Sequence, residues 1–560
     1  MEPRAGAREP RGLGDWASQA GLTAVLGRLR PRRMAGGIWE DALLAVLILL
    51  YVSPLFWILV PATQDGPSHL SIANVLLHLL SHDRPVLAKY FEINWFPEPN
   101  LLGYLILIPL LRLVNPFAAE KILFGAFVVS LPLAARFCLR SVNRQAPSWL
   151  AFLVVPFTWA KMMQAGFYNF CLSLAVFLVC LGYFLRAFPC LNAPRAAALG
   201  LLTLLLYFSH AMSMGMFWLS LLVLIPWLAW AEHRCGAGTD GARRLRLLMA
   251  AVAPAGALFA GFLLRNRGAH RAYGVSLQER VFRLAGLSSL VTHRRVEMIF
   301  STGALLLFAV LVAAFAVRRA GSVRFEAGDV FLALAALFLI VLFLIPDSLS
   351  GGSAHSQRAE LYPFLVIPLW FAAQPRLGGW TELGMAIAAA ALAIGLWVLN
   401  VSQIRKIDQA IREYYTVTEH IKPDRTVLPV TLAPHGRDAR GEPLSIRSEM
   451  FVFAASRLNA LAGAIELYNY QAMMPGFAVR YRGNWAHWSQ TPPDQVWNRI
   501  GEDLCSGPIW GDPDYVLLYG WDRARNDADP EALRALERRY ALEFVSSPTQ
   551  AVRLYRRATP

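Results

Sequence analysis

Charge is what this 560-residue sequence has least of. Asp, Glu, Lys and Arg make up 16% of it against 56% hydrophobic residues, and the mean hydropathy is +0.41. So little charge excludes an ordinary soluble enzyme, and the near-continuous apolar runs point to a chain that crosses a membrane many times. Acidic groups are scarcer still, 38 against 53 basic ones. The arginines gather between apolar runs, where cytoplasmic loops carry them, so the excess is a topology signal and not a nucleic-acid footprint. Of the six cysteines (Cys138, Cys171, Cys180, Cys190, Cys235 and Cys505) only the last lies in the polar C-terminal region, which therefore holds no internal disulfide. There is no HExxH or GxSxG signature, no phosphate loop and no cysteine pair with metal spacing. Internal repeats are also absent, which counts against a transporter built from paired halves.

What is present is a series of twelve apolar stretches, near 41–61, 99–114, 118–138, 148–164, 167–186, 196–209, 214–231, 247–264, 298–317, 328–346, 360–374 and 379–401. Residues 1–40 form a basic tail with arginines at 4, 8, 11, 28, 30, 32 and 33 and a short amphipathic patch, Trp16 to Leu29. The first apolar run is too long for a cleavable signal and no small-residue cleavage site follows it, so the tail is expected to stay in the cytoplasm. From there the arginine-rich loops orient the rest. The 62–98 loop falls outside, and so do 166–169, His210, the 265–297 loop, the 347–360 loop and everything past 401. The count fails at one place: two crossings between Glu98 and Arg136 would return the chain to the wrong side. Eleven crossings fit the charges and twelve do not, so one of the two stretches in 99–138, the short 99–114 run or the one after it, is expected to be irregular. After residue 402 short β-type runs (Thr426 to Leu432, Tyr515 to Tyr519, Ala551 to Tyr555) and a helical one (Asp529 to Tyr540) mark an α/β domain. The expected fold is a polytopic all-α membrane bundle of eleven or twelve apolar segments, residues 41–402, followed by a soluble extracytoplasmic α/β domain, residues 403–560.

The polar stretch Gln64 to Asn100 stands out against these surroundings. It opens with QDGPSHL, and Gly66-Pro67 turns the chain so that His69 falls near Asp65. A carboxylate at the membrane boundary acts as a general base or as a ligand for a divalent cation such as Mg or Mn, or it merely caps the helix that follows. Leu70 to His82 has the spacing of an interfacial helix. Glu98 is a second outer carboxylate, a partner for Asp65 in catalysis or metal binding, or a helix-start charge. In the loop DSLSGGSAHSQRAELYPF, His355 and Arg358 sit at the mouth of a span; an arginine there suits a phosphate, or pairs with Glu360. Tyr168 and Asn169 in GFYNF, His210 in YFSHAMSMG, and Arg265, Arg267, His270 and Arg271 converge on the same face. A lone His210 also serves as an ordinary helix–helix hydrogen bond.

QDGPSHL, the Leu70 to His82 segment, WFPEPNLLGYL, AAEKILFGAFVVSLPLAARFCLR and QRAELYPFLVIPLW, taken in that order, resemble the GT-C class of membrane glycosyltransferases, in its bacterial branch. The resemblance implies a donor sugar on a polyprenyl phosphate, Asp65 as the catalytic or metal-binding acid, Glu98 as its partner and Arg358 as a ligand of the donor phosphate. Many members carry an adjacent acidic pair where this chain has Asp65-Gly66, and Asn169 stands where some branches have a second acid. His69 joins the catalytic set, and His355, His210, Asn169 and Arg265 join Arg358 as substrate ligands. The expected activity is sugar transfer to an envelope lipid, polysaccharide or protein at the outer face of the inner membrane. The alternatives are a transporter or flippase of a lipid-linked or anionic substrate, and a non-catalytic scaffold of the same build.

Overall fold

A computed structural model describes residues 36–234, 241–267, 271–319, 326–349, 352–438, 440–474, 476–486, 513–521 and 530–558. The tail with its Trp16 to Leu29 patch, Cys235, His270, Gly351 and Cys505 lie outside the described residues. In chain order the main helices are α1 (Gly36–Val52), α2 (Gly66–Ser81), α3 (Leu102–Leu113), α4 (Pro116–Val142), α5 (Tyr168–Ala187), α6 (Ala193–Ser209), α7 (Ala211–Arg234), α8 (Gly241–Arg265), α9 (Glu297–Arg319), α10 (Val330–Leu344), α11 (Leu361–Ala373) and α12 (Gly379–Tyr415). Among the described residues eight helical stretches, built on α1, α4, α5, α7, α8, α9, α10 and α12, are long and apolar enough to cross a membrane. Capping sets several starts: Asn115 and Asn192 accept from Ala118 N and Arg195 N, each followed by a proline in the first turn.

Two stretches of the expected series are irregular. α3 has 12 residues, so it rises about 18 Å against a hydrocarbon core of roughly 30 Å. Leu101 N donates to Phe208 O at its start, and Phe117 packs on Tyr415 just past its end, both on the face that carries Asp65. The 99–114 run is therefore too short to span a bilayer as an α-helix, and both of its ends are tied to the side that carries Asp65. The 148–164 stretch does connect the two faces, but not as an α-helix. It runs as two 3₁₀ turns, Ser148–Leu153 and Val155–Trp159, and a single helical turn, Lys161–Gln164. Ser148 is held by Glu40 and Asp41 at the start of α1, and Gln164 accepts from Gln64 N beyond its end. At about 2 Å per residue a 3₁₀ path reaches farther than an α-helix of equal length. Such backbone is tolerated at membrane depth only when protein surrounds it, and nearly all of this stretch is buried.

The C-terminal region forms a five-stranded mixed sheet from β2 (Thr426–Thr431), β3 (Ile465–Glu466), β5 (Tyr515–Tyr519), β6 (Tyr540–Val545) and β7 (Val552–Arg557), in the order β3-β2-β5-β7-β6. β2 is parallel to both neighbours, and the other pairings are antiparallel. Two further strands, β1 (Phe91–Ile93) and β4 (Val479–Tyr481), pair antiparallel and tie the 62–98 loop to this domain. The loop helix is also not the amphipathic surface helix its spacing suggested. α2 is buried from Gly66 to Leu77, with Asn74 donating to Asn459 Oδ1 at 2.9 Å. The C-terminal domain covers the side that the sequence left polar.

Candidate functional site

Asp65 sits where α1 gives way to α2, and a short ladder fixes it. Gln64 N donates to Gln164 O and Asp65 N to Ala165 O, each at 3.0 Å. The ladder closes on Gly166, whose φ is +78° and whose missing Cβ would collide with the backbone nitrogens of Asp65 and Gly66. Gly66 has its own reason: a side chain there would overlap Thr63, Tyr168 and Glu120. A second acid beside Asp65 has no room. Beneath it lies a fully buried knot in which Arg457 makes a bidentate pair with Glu120, both bonds 2.7 Å. Tyr168 donates to Glu120 at 2.5 Å and contacts Thr63 at 2.9 Å.

The Asp65 side chain does not cap α2. Its Oδ2 accepts from Tyr470 OH at 2.5 Å, across 405 residues of sequence. Burial raises the Asp65 carboxyl to about 7, with the Tyr470 hydrogen bond and the Arg358 charge pulling the other way. The acid is thereby poised near neutrality, where a general base works best.

Six of the eight residues given catalytic or substrate-binding roles from the sequence line one cavity of about 510 Å³: Asp65, His69, Asn169, His210, His355 and Arg358. The other two do not. Glu98 and Arg265 pair with each other at 3.0 Å, Arg265 stacking 4.3 Å over Phe96. This corrects the expected partnership of Glu98 with Asp65 and the substrate role of Arg265; the 94–98 turn brings Glu98 to the end of α8 instead. His69 hydrogen-bonds Tyr104 OH at 2.9 Å and packs among Tyr104, Tyr168 and Phe477, and burial depresses it to about 3. It is a neutral imidazole, with no hydrogen bond to the Asp65 carboxylate among the described residues. His355 is held by Asp347 O at 2.9 Å and lowered to about 4, chiefly by burial.

Around Arg358 the site is short of acceptors. The guanidinium is 8% exposed, lies 4.1 Å over the Phe167 ring, and makes no ion pair among the described residues. Glu360, its expected partner, accepts from Ser289 N instead. Arg358 Nη1 lies 3.2 Å from His210 Nε2, while His210 Nδ1 faces Met212 N–H at 3.1 Å. Burial, then Arg358 and His355, keep His210 far below its ordinary value and so neutral. A neutral imidazole accepts at one nitrogen only, so one of these contacts sets a donor against a donor. Arg358 Nε is buried without a partner, and so is Asn169 Nδ2, whose Oδ1 is taken by Gly103 N at 2.6 Å. Unpaired buried donors are costly, and both of these belong to residues that line the cavity.

A divalent cation does not fit this donor set. Asp65 is the one carboxylate lining the cavity among the described residues, Asn169 Oδ1 is occupied, and a cationic guanidinium shares the space. Among the described residues no group of three or more His, Cys, Asp or Glu is close enough to hold a metal. The far end of the cavity is apolar, walled by Trp218 and Leu219 of α7, Phe259, Phe262 and Leu263 of α8 and Val341 of α10. Tyr470, Met474 and Phe477 close it from the C-terminal domain. None of these three carried a motif; only their aromatic-rich setting hinted at a wall.

No protein-family model matches the sequence, and no curated protein matches it either. Solved structures do. ArnT from Cupriavidus metallidurans bound to undecaprenyl phosphate aligns over 93% of this chain and 98% of its own at 11% identity, with a TM-score of 0.50. The mycobacterial arabinofuranosyltransferase AftD aligns over 92% of this chain and 41% of its own (14% identity, TM-score 0.48). The Archaeoglobus fulgidus oligosaccharyltransferase aligns over 93% and 74% (12% identity, TM-score 0.45). At such identities the likeness is one of architecture, and it agrees with the resemblance carried by the motifs: this chain has the fold of the GT-C membrane glycosyltransferases.

Proposed function

We propose that this protein is an integral-membrane glycosyltransferase that moves a sugar from a polyprenyl phosphate to an envelope lipid, polysaccharide or protein at the membrane face bearing Asp65. The observation that carries the reading is the acceptor shortage. Arg358, His210 and Asn169 present buried donors to one cavity, Asp65 faces them, and an apolar arm leads from them into the helical bundle. A phosphate on a long hydrocarbon chain has both halves of the matching chemistry. The solved neighbour bound to undecaprenyl phosphate was captured with a ligand of that kind.

In this scheme the arm takes the first isoprene units and Arg358 takes the phosphate, with His210 Nε2–H and Asn169 Nδ2–H completing its shell. Asp65 removes the proton from the acceptor hydroxyl. The acceptor oxygen then bonds to the anomeric carbon as the carbon–phosphate oxygen bond breaks, and the polyprenyl phosphate leaves with its charge stabilised by Arg358. Tyr470 occupies Oδ2 and leaves Oδ1 for the acceptor. The test uses the full-length protein in detergent micelles with undecaprenyl phosphate as probe, and transfer from a panel of undecaprenyl-phosphate sugars. Arg358→Gln should weaken binding of the probe at least about tenfold, whereas Asp65→Asn should bind it normally and transfer nothing. Normal turnover by Asp65→Asn, or unchanged binding by Arg358→Gln, would overturn the assignment.

A further inference from the structure

A second hollow, of about 490 Å³ and sharing no lining residue with the first, lies between α4, α5 and α6. Ala126, Ser130 and Phe137 of α4 and Ala175 and Val179 of α5 line it, together with Leu202 of α6. The lining is apolar except for Ser130, whose hydroxyl donates to its own helix at Phe127 O. Small side chains at 126, 130 and 175 make the hollow, and α3, too short to cross, covers only the end nearest Asp65 through Leu102. From Ala126 to Phe137 the groove runs about 16 Å along the helix axis. An empty apolar groove of this length forfeits dispersion contacts, and in a bilayer the material at hand to fill it is hydrocarbon.

The end remote from Asp65 is charged. Arg186, two turns beyond Val179 on the same stripe of α5, holds its guanidinium 4.5 Å over the ring of Phe137. Arg144 follows α4 and is close enough for its charge to act on Arg186. Both are exposed, and neither makes an ion pair or a hydrogen bond among the described residues. Arg140, by contrast, is engaged by Asp41 at 3.3 Å. Each arginine alone is an ordinary helix-end cation. Two unpaired ones beside an acyl-sized groove, one of them stacked on the groove's own Phe137, are a different matter, because a phospholipid joins an anionic headgroup to a fatty chain.

We propose that the groove and its two arginines form a site for an anionic diacyl phospholipid, with one chain along α4 and α5 and the phosphate between Arg186 and Arg144. Basic pockets between membrane helices recognise anionic headgroups through charge, while the groove selects only for hydrocarbon. The test is native mass spectrometry of the delipidated full-length protein after incubation with phosphatidylglycerol or phosphatidylcholine of equal chain length. Wild type should retain phosphatidylglycerol about tenfold better. Arg144→Gln with Arg186→Gln should bring it down to the phosphatidylcholine level. Ser130→Phe, which fills the groove, should lose both lipids, and Ala126→Trp, on an exposed position, guards against a folding defect in that variant. Equal retention of the two lipids by wild type would overturn the proposal. So would unchanged phosphatidylglycerol retention in the double arginine variant, or unchanged retention in both groove-filling variants.

Discussion

Arg457→Met tests how the C-terminal domain governs the Asp65 loop. Arg457 and Glu120 are both 0% exposed and come from opposite ends of the chain. Besides its two bonds to Glu120, the guanidinium donates to Pro61 O and to Tyr415 OH, each at 2.8 Å. Its removal leaves the Glu120 carboxylate buried with Tyr168 as the remaining donor and leaves Pro61 O without this partner. Breaking a buried pair from one side costs about 3–5 kcal/mol, because the abandoned charge keeps its desolvation penalty. Replacing both members by apolar groups removes that penalty, so Arg457→Met with Glu120→Leu should be less damaging than either single variant. Equilibrium unfolding of the three variants in the same detergent measures this, and limited proteolysis reports whether the C-terminal domain has come loose. A single-variant loss under about 1 kcal/mol, the scale of a surface pair, would refute the reasoning, as would a double variant worse than the sum. Since the knot lies directly under Gly66, the single variants should also lose turnover while retaining Asp65.

Further outcomes follow from the same geometry. Transfer should rise with pH through an apparent value near 7 set by Asp65, and a limb lying below about 5 would contradict the burial argument. Between the ordinary carboxylate range and about 7 the folded protein keeps a proton that the unfolded chain has released, so stability falls as pH rises across that window. Asp65→Asn should abolish this slope and be the more stable protein at pH 8, seen as a higher thermal midpoint. Gly166→Ala should abolish transfer and cost about 1–3 kcal/mol from the strained backbone alone, checked by unfolding and turnover together. Arg358→Lys should restore charge but not binding of undecaprenyl phosphate, since an ammonium cannot replace the planar fork; full recovery in a binding titration would show that charge alone suffices. Glu466, pushed by burial to about 8 and accepting from Ser456 Oγ at 2.6 Å, is neutral at pH 7. Its replacement by Gln should change stability by less than about 1 kcal/mol at that pH.

What the sequence determined by itself is whatever depends on neighbours along the chain. Hydropathy over twenty residues marks a candidate span, and a shift in composition toward the C-terminus marks the α/β region. The strands at Thr426–Thr431, Tyr515–Tyr519 and Val552–Arg557 and the helix at Pro530–Arg539 fall within a few residues of their expected bounds. Local spacing also exposed Asp65, His69, His210, His355 and Arg358, because polar groups at the edge of apolar runs are conspicuous. The tertiary structure alone decided which of them share a cavity. Glu98 looked as promising as Asp65, yet it pairs with Arg265, 167 residues away. Tyr470 bore no signal and touches the Asp65 carboxylate directly. The 148–164 stretch reads as one more span, and only the tertiary structure shows it as 3₁₀ turns wrapped by other helices. Periodicity records which face of a segment avoids water. It does not record what covers the other face, and α2, amphipathic in pattern but buried from Gly66 to Leu77, is where the two diverge.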